Sequence, residues 1–400
     1  MKSYIIKRSS LYIYSIDLLV IAFVTFYFTD GMSKILLRTG SDFHRYSAFV
    51  KGFFEIFILG FAIVTVTRSK LNLLASLGLF LISFLIGQFF LSLNFPELLF
   101  YENFNSLFKY LFTLILFLLA LDIIKNNEHP FRLFKYYRLI LVFNSIVIIL
   151  GFLLKIEMFK TYPGPWRFGY DGLTLAQNEA SYIFIFAITT VYYRRFYLKI
   201  KEYFFWVILI SSLLVATKAV YLYLVLLLLF HIVKRVSIRN ILTFGISLLT
   251  VGYLLFSTAV NKIFKNSYDI FMYMYYKGGL WNALLSGRND YIMDKLAPLV
   301  FEHWSFPNFF FGGQDVVSHY IEMGFIDLLL FFGIFGTILY LFIFYSIFKT
   351  IPFPRDFKIF FGISLTIIIA TAGHFFESGI AGLHFIFLLL INRNIEKQIT

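Results

Sequence analysis

Apolar runs of about 18 to 25 residues recur along nearly the whole chain, separated by short polar links. A helix rises 1.5 Å per residue, so roughly 20 such residues cross the hydrocarbon core of a bilayer. The pattern predicts an all-α polytopic membrane protein, a single integral domain over 1–400 with no soluble domain of useful size left over. The first run, LYIYSIDLLVIAFVTFYF after Lys2, Lys7 and Arg8, is longer than a signal-peptide core and lacks a small-residue cleavage site. It is read as a retained first helix.

The links alternate in charge. TRSK at Thr67–Lys70, KNNEHPFRLFKYYR at Lys125–Arg138, RRFYLKIK at Arg194–Lys201, KRVSIR at Lys234–Arg239 and KTIPFPRDFK at Lys349–Lys358, with both termini, hold about 21 of the 35 basic residues. The positive-inside rule puts these in the cytoplasm and the other, more acidic links outside. Only about 30 apolar residues separate RRFYLKIK from KRVSIR, so an even number of crossings requires two short helices of about 13 to 15 residues. Their turn at Ala216-Thr217-Lys218 is expected below the outer surface, in an outward-facing pocket, because irregular backbone is tolerated at depth only where it lines protein or water. The count is about twelve transmembrane helices with both termini cytoplasmic. The longest external link, 260–323, lies between helices nine and ten, and only the Thr217-Lys218 turn reads as a broken helix.

Composition agrees: 60% of residues are hydrophobic and 14% charged, a departure from soluble averages toward lipid. The net charge of +13 resides in the links, which makes it a topology signal, and no nucleic-acid motif accompanies it. The absence of cysteine removes thiolate chemistry and Cys-ligated metal.

Four polar clusters face outward on this topology. GGQDVVSHYIEMGFID, 312–327, places Asp315, His319 and Glu322 on one face if it is helical from about Asp315, so that His319 and Glu322 form a coupled acid–base pair. Asp, His and Glu there also allow a metal, but no second histidine stands at ligand spacing. In LLSGRNDYIMDK, Ser286 reads as an N-cap, and Arg288, Tyr291 and Lys295 share a cationic face suited to an anion. The loop KTYPGPWRFGYDGLTLAQNEASY offers Tyr162, Trp166 and Tyr170 as flat surfaces for sugar rings and Arg167 as a cation, with Asn178 and Glu179 opening the sixth helix, where both also fit as caps. GHFFESG brings His374 and Glu377 to the outer turn between helices eleven and twelve. Each cluster also has a plain reading: interfacial caps, tight turns, or an Arg288 paired with Asp290 or Asp294. Asp17 and Asp122, in or near spans without such company, are read as interhelical hydrogen bonders. The chain has no Asp-x-Asp, no phosphate loop, no G-x-S-x-G and no His-Glu-x-x-His, which argues against soluble nucleotide donors.

The order ATKAVYL, SGR, GG-x(5)-HYIE running into FIDLLLFFGIFG, then AGHFFESG, with RFGYDGLTLAQNEASY before it, resembles the O-antigen polymerase and ligase superfamily of bacterial surface-polysaccharide assembly, over roughly 165–385. The resemblance implies a GT-C-like fold in the bacterial inner membrane, with the site facing the periplasm or exterior. It implies a donor glycan on undecaprenyl diphosphate, metal-independent inverting transfer, no cofactor, and a chain-length regulator and a flippase of the same pathway as partners. The family's small-basic dipeptide falls on Thr217 and Lys218, where many relatives have Ser-Arg, and its loop arginine and histidine fall on Arg288 and His319. Tyr320 after the histidine favours a Wzy-type polymerase over a ligase that transfers glycan to lipid A-core. Some polymerases carry an acid where Gly324 stands, so the base stays open between His319 and Glu322. Diphosphate or substrate binding then falls to Arg167, Lys218 and Arg288, with Tyr170, Asn178 and His374. The remaining alternative is a flippase or transporter of lipid-linked oligosaccharide.

Overall fold

The computed structural model describes residues 2–41, 46–126, 131–162, 167–235 and 259–393. Among them the chain is helical, without strands and with one isolated bridge between Lys160 and Tyr170. The helices are α1 (Lys2–Arg38), α2 (Tyr46–Val64), α3 (Arg68–Asn94), α4 (Phe100–Asn126), α5 (Phe131–Leu153), α6 (Gln177–Phe196), α7 (Phe205–Val215), α8 (Lys218–Arg235), α9 (Ala259–Leu285), α10 (Gly324–Lys349), α11 (Arg355–Thr371) and α12 (Gly379–Arg393), with short turns of helix between α9 and α10. Six of them contain segments long and apolar enough to cross a membrane, in α1 to α5 and α10. This is a multi-pass, all-helical membrane protein.

The expected pair of short helices is present. α7 has 11 residues and α8 has 18; α8 outruns the expectation because nothing stops the helix before Lys234 and Arg235. The ninth expected span falls within 236–258, outside the described residues, and α9 belongs instead to the long link 260–323. That link is largely helical, and its Leu299 and Ile321 form a second small core with Leu91 of α3 and Leu330 of α10.

Burial sorts the helices. α6 and α12 are enclosed along most of their lengths, and α12 packs on α1, α4, α5 and α6. A Cβ at Gly382 would stand 2.1 Å from Thr113 Oγ1 of α4, so the missing side chain is what lets these helices approach. At the rim, α2 buries only 22% of its apolar span against 72% for α4, and Phe49, Phe53 and Ile56 stand exposed for lipid.

Two interrupted helices beyond the α7–α8 turn correct the expectation of a single broken one: α9 is non-helical at Gly278 and Gly279, and α10 breaks as well. Gly333, with φ 66°, interrupts α10, and a Cβ there would lie 2.4 Å from Gly312 N and from the Phe310 carbonyl carbon. The short helix Phe306–Phe311 wedges in at this point, and Asn308 Nδ2 donates to the Gly87 and Gly312 carbonyls at 2.9 and 2.7 Å. Irregular backbone is satisfied by protein here, as a membrane interior demands.

Candidate functional site

Polar contacts between helix ends divide the bundle into two ends. One end gathers the basic links: Lys70 Nζ meets Asp122 at 2.6 Å, Arg132 meets Asp17 at 3.6 Å, Arg194 pairs with Glu202, and Lys234 meets Asp356 at 3.3 Å. Asp122 thus takes the expected interhelical hydrogen bond, whereas Asp17 meets Arg132 in an exposed ion pair beyond hydrogen-bond distance. The opposite end gathers the candidate residues that are described.

There the loop before α6 is tied down on two sides. Lys34 of α1 forms a buried ion pair with Asp171 and donates to the Gly172 carbonyl at 2.8 Å. Burial pushes the Asp171 carboxyl up to about 6 against the pull of Lys34. On the other side, Thr161 Oγ1 donates to the Val215 carbonyl at 3.0 Å and Tyr170 N to Leu214 O at 2.7 Å, which fixes the loop to the α7–α8 turn. Tyr170 is therefore no open platform for a sugar: its ring is buried against Phe152 and Phe168. Trp166, with 163–165, lies outside the described residues. Asn178 stands half-buried in the first turn of α6, and neither it nor Glu179 is the N-cap, which is Ala176 without a side-chain bond.

Three of the expected cations converge. Ala216 turns the chain with φ 57°, Thr217 Oγ1 meets Ser181 Oγ at 2.7 Å, and Lys218 Nζ donates to the Ala283 carbonyl at 2.6 Å and Ser286 Oγ at 2.9 Å. Ser286 is not an N-cap: Gly287 occupies that position, and the Ser286 hydroxyl accepts from Lys218. Arg288 Nη2 reaches Glu322 Oε2 at 3.0 Å and Nη1 reaches Thr371 O at 3.3 Å, while its Nε is buried without a partner. Asp290, weighed as the partner of Arg288, bonds instead to Lys277 and Asn282. Arg167 lies over the Tyr162 ring at 5.1 Å. Beside the cost of its burial, the Lys218 ammonium is repelled by Arg167 and Arg288. Lys295 sits on the Tyr291 ring at 4.4 Å and donates to the Tyr320 carbonyl at 3.0 Å, so the expected face is real and packs on 320–322.

The segment 312–323 is not a helix, because local side chains capture the backbone donors a helix would need. Asp315 Oδ2 accepts from Ser318 N at 3.1 Å, and Asp327 accepts from Ile321 N at 2.9 Å and Met323 N at 2.7 Å, so α10 starts only at Gly324. The coupled pair of His319 and Glu322 consequently does not form. His319 turns to Phe95 and His303, bonds Ser318 Oγ through Nδ1 at 2.7 Å, and has its pKa lowered by burial against the opposing pull of Asp315. Glu322, with φ 63°, serves Arg288. Ala216, Ser286, Glu322 and His374 all hold positive φ at this end, a concentration of backbone strain of the kind found at functional sites.

His374 stands apart from the cation cluster. Its Nδ1 meets Tyr320 Oη at 3.1 Å, and that hydroxyl donates to Glu377 Oε1 at 2.9 Å. These residues line a cavity of about 480 Å³ together with Glu179, Lys51, Glu55 and Lys109. Lys51, Glu55 and Lys109 escaped the sequence reading, although a lysine and a glutamate four apart inside an apolar run are a signal. The cluster can therefore hold an anion, and the cavity offers carboxylates and hydroxyls to a polar molecule. No protein-family model, no curated protein and no solved structure matches this chain.

Proposed function

We propose that the chain polymerises lipid-linked oligosaccharide repeat units, moving the growing glycan from undecaprenyl diphosphate to a sugar hydroxyl of a new unit. In this reading the chain has twelve spans in a GT-C-like arrangement in the bacterial inner membrane, with both termini cytoplasmic and the cation cluster facing out. The observation that carries it is the convergence of Arg167, Lys218 and Arg288 on a broken-helix turn with a single carboxylate among their close partners. A diphosphate supplies the missing negative charge, and a guanidinium binds it in bidentate fashion.

The acceptor oxygen attacks the anomeric carbon, the bond from that carbon to the diphosphate oxygen breaks, and the leaving lipid diphosphate keeps the electron pair on the cations. The hydroxyl proton goes to a base. Glu322 fits this role better than His319: when phosphate takes over the Arg288 guanidinium, the Glu322 carboxylate is released beside it.

A surface-glycan gel of a deletion strain beside its complemented twin tests the reading. Loss of the ladder with a core-plus-one-repeat band remaining supports a polymerase; long glycan accumulating on its carrier, with no glycan-bearing lipid, means a ligase. The break at Gly333 favours one other reading, because transporters pair two broken helices around a central site. A flippase would lose the ladder and the core-plus-one band together, with single units stranded on the cytoplasmic leaflet.

A further inference from the structure

Beside the cation cluster lies a cavity of opposite character, and we propose that it is the acceptor's saccharide site, holding a polyhydroxylated ring of the incoming repeat unit. The inference rests on the polymerase reading above for the word acceptor, and on the cavity alone for the word saccharide. At about 480 Å³ it falls in the ~300–1,000 Å³ range of small-molecule sites. Its walls bring Glu55 of α2, Glu102 of α4, Glu179 of α6 and Glu377 together, with Lys51, Lys109 and His374 between them and the rings of Tyr320, Phe108 and Phe112 alongside.

Glu55 decides the matter. Its residue is 5% exposed, it lines the cavity more than two turns below the start of α2, and no hydrogen bond or ion pair reaches its carboxyl among the described residues. The neighbouring Lys51 is committed to Asp30 at 2.7 Å. A largely buried carboxyl that finds no partner in the protein and borders only the cavity has its acceptors left for what enters the cavity, and a ligand that brings donors completes it.

The donor is a set of hydroxyls for three reasons. Carboxylates outnumber the lysines on these walls, which turns a phosphate away toward Arg288. The volume far exceeds a bare cation. Carboxylates accept from pairs of adjacent hydroxyls while aromatic rings cover the C–H face of a sugar. The chain places this site next to the cations: Tyr320 points its hydroxyl to Glu377 at the cavity, and two residues on Glu322 meets Arg288. Segment 320–322 is thus the partition between acceptor sugar and donor diphosphate.

The test uses the full chain in detergent and, as probe, the repeat-unit saccharide released by mild acid from the lipid carrier of the producing strain. Saturation-transfer NMR is expected to show binding to wild type and at least tenfold weaker binding to Glu55→Gln and to Gly52→Phe. Gly52 lines the cavity and a Cβ there meets nothing within 4 Å, so the phenylalanine fills the space without straining the helix. Equal binding by wild type and both cavity variants, or none by wild type, overturns the saccharide site. If deletion removes the ladder but both cavity variants restore it fully, the acceptor assignment fails while the polymerase reading stands. If deletion leaves the ladder intact while binding still depends on Glu55, the polymerase reading fails and the saccharide site stands.

Discussion

The buried basic residues among the basic links and the cluster of Arg167, Lys218 and Arg288 at the opposite end treat charge differently. At the end that gathers the basic links, cations find carboxylates: Lys70, fully buried, bonds Asp122, and buried Arg194 bonds Glu202 and lies 4.0 Å over the Phe134 ring. At the other end Lys34 and Lys51 pair with Asp171 and Asp30 in the same way, but within the cation cluster Lys218 rests on a carbonyl and a hydroxyl and Arg167 on an aromatic face, and of these three only Arg288 holds a carboxylate. Pairing a buried charge internally makes it structural, because removing either partner strands the other. A charge satisfied by neutral groups keeps its field and can still attract an anion. The comparison teaches that the partners of a cation, and not the end of the bundle it occupies, separate paired charges such as Lys70, Lys34 and Lys51 from the cluster of Arg167, Lys218 and Arg288.

The sharpest way to break this comparison is Arg288. Arg288→Ala should lower chain growth by about 10²–10³-fold, the cost of removing a charge that stabilises a transition state, and Arg288→Lys should restore little because a point charge does not replace a planar fork. Ladder intensity at matched protein level reads it, and near-normal growth in the alanine variant would sink the diphosphate site. Next comes the structural end. Lys70→Met should destabilise the protein by about 3–5 kcal/mol, with Lys70→Met/Asp122→Leu recovering most of it; thermal inactivation in detergent measures both, and an unaffected single variant would deny Lys70 its structural role.

Lys218→Ala should act more weakly, reducing growth roughly tenfold, about 1.4 kcal/mol, and raising the apparent KM for donor more than Arg288→Ala does. An effect as large as that of Arg288 would mean the two cations work as one unit. The smallest effect on growth belongs to His319→Ala, expected within about twofold because the imidazole packs on Phe95 and His303. Its signature is in pH. The folded pKa is lowered, so the loop's stability is complete above the unfolded value of about 6.5 and falls as pH drops below it, when only the unfolded form takes the proton. Hydrogen exchange across 312–323 should show protection lost on acidification in wild type but not in His319→Gln; identical pH profiles would contradict the assignment.

Much of this was legible without a structure. Six apolar spans follow from run length, and parity located the α7–α8 turn to the residue, since a fixed rise per residue meets a fixed thickness. The cations Arg167, Lys218 and Arg288 were legible as charges on the links opposite the basic ones. Local spacing failed where side chains compete for the backbone: 312–323 has helical spacing, yet Asp315 and Asp327 take its N–H groups. Tyr170 failed because a turn can fold its ring inward as readily as outward.

What the sequence by itself determined is therefore the one-dimensional part: an all-helical, multi-pass chain, with its basic links on alternate turns and its polar clusters on the others. Only the tertiary structure decided which of those clusters meet. It brought Arg288 to Glu322 across 34 positions, left His319 outside, broke α10 at Gly333, and turned Glu55 from an isolated acid in an apolar run into the wall of a cavity. The reason is physical: crossing a bilayer depends on composition and length, properties of a segment, whereas a site depends on distances between side chains that only packing sets.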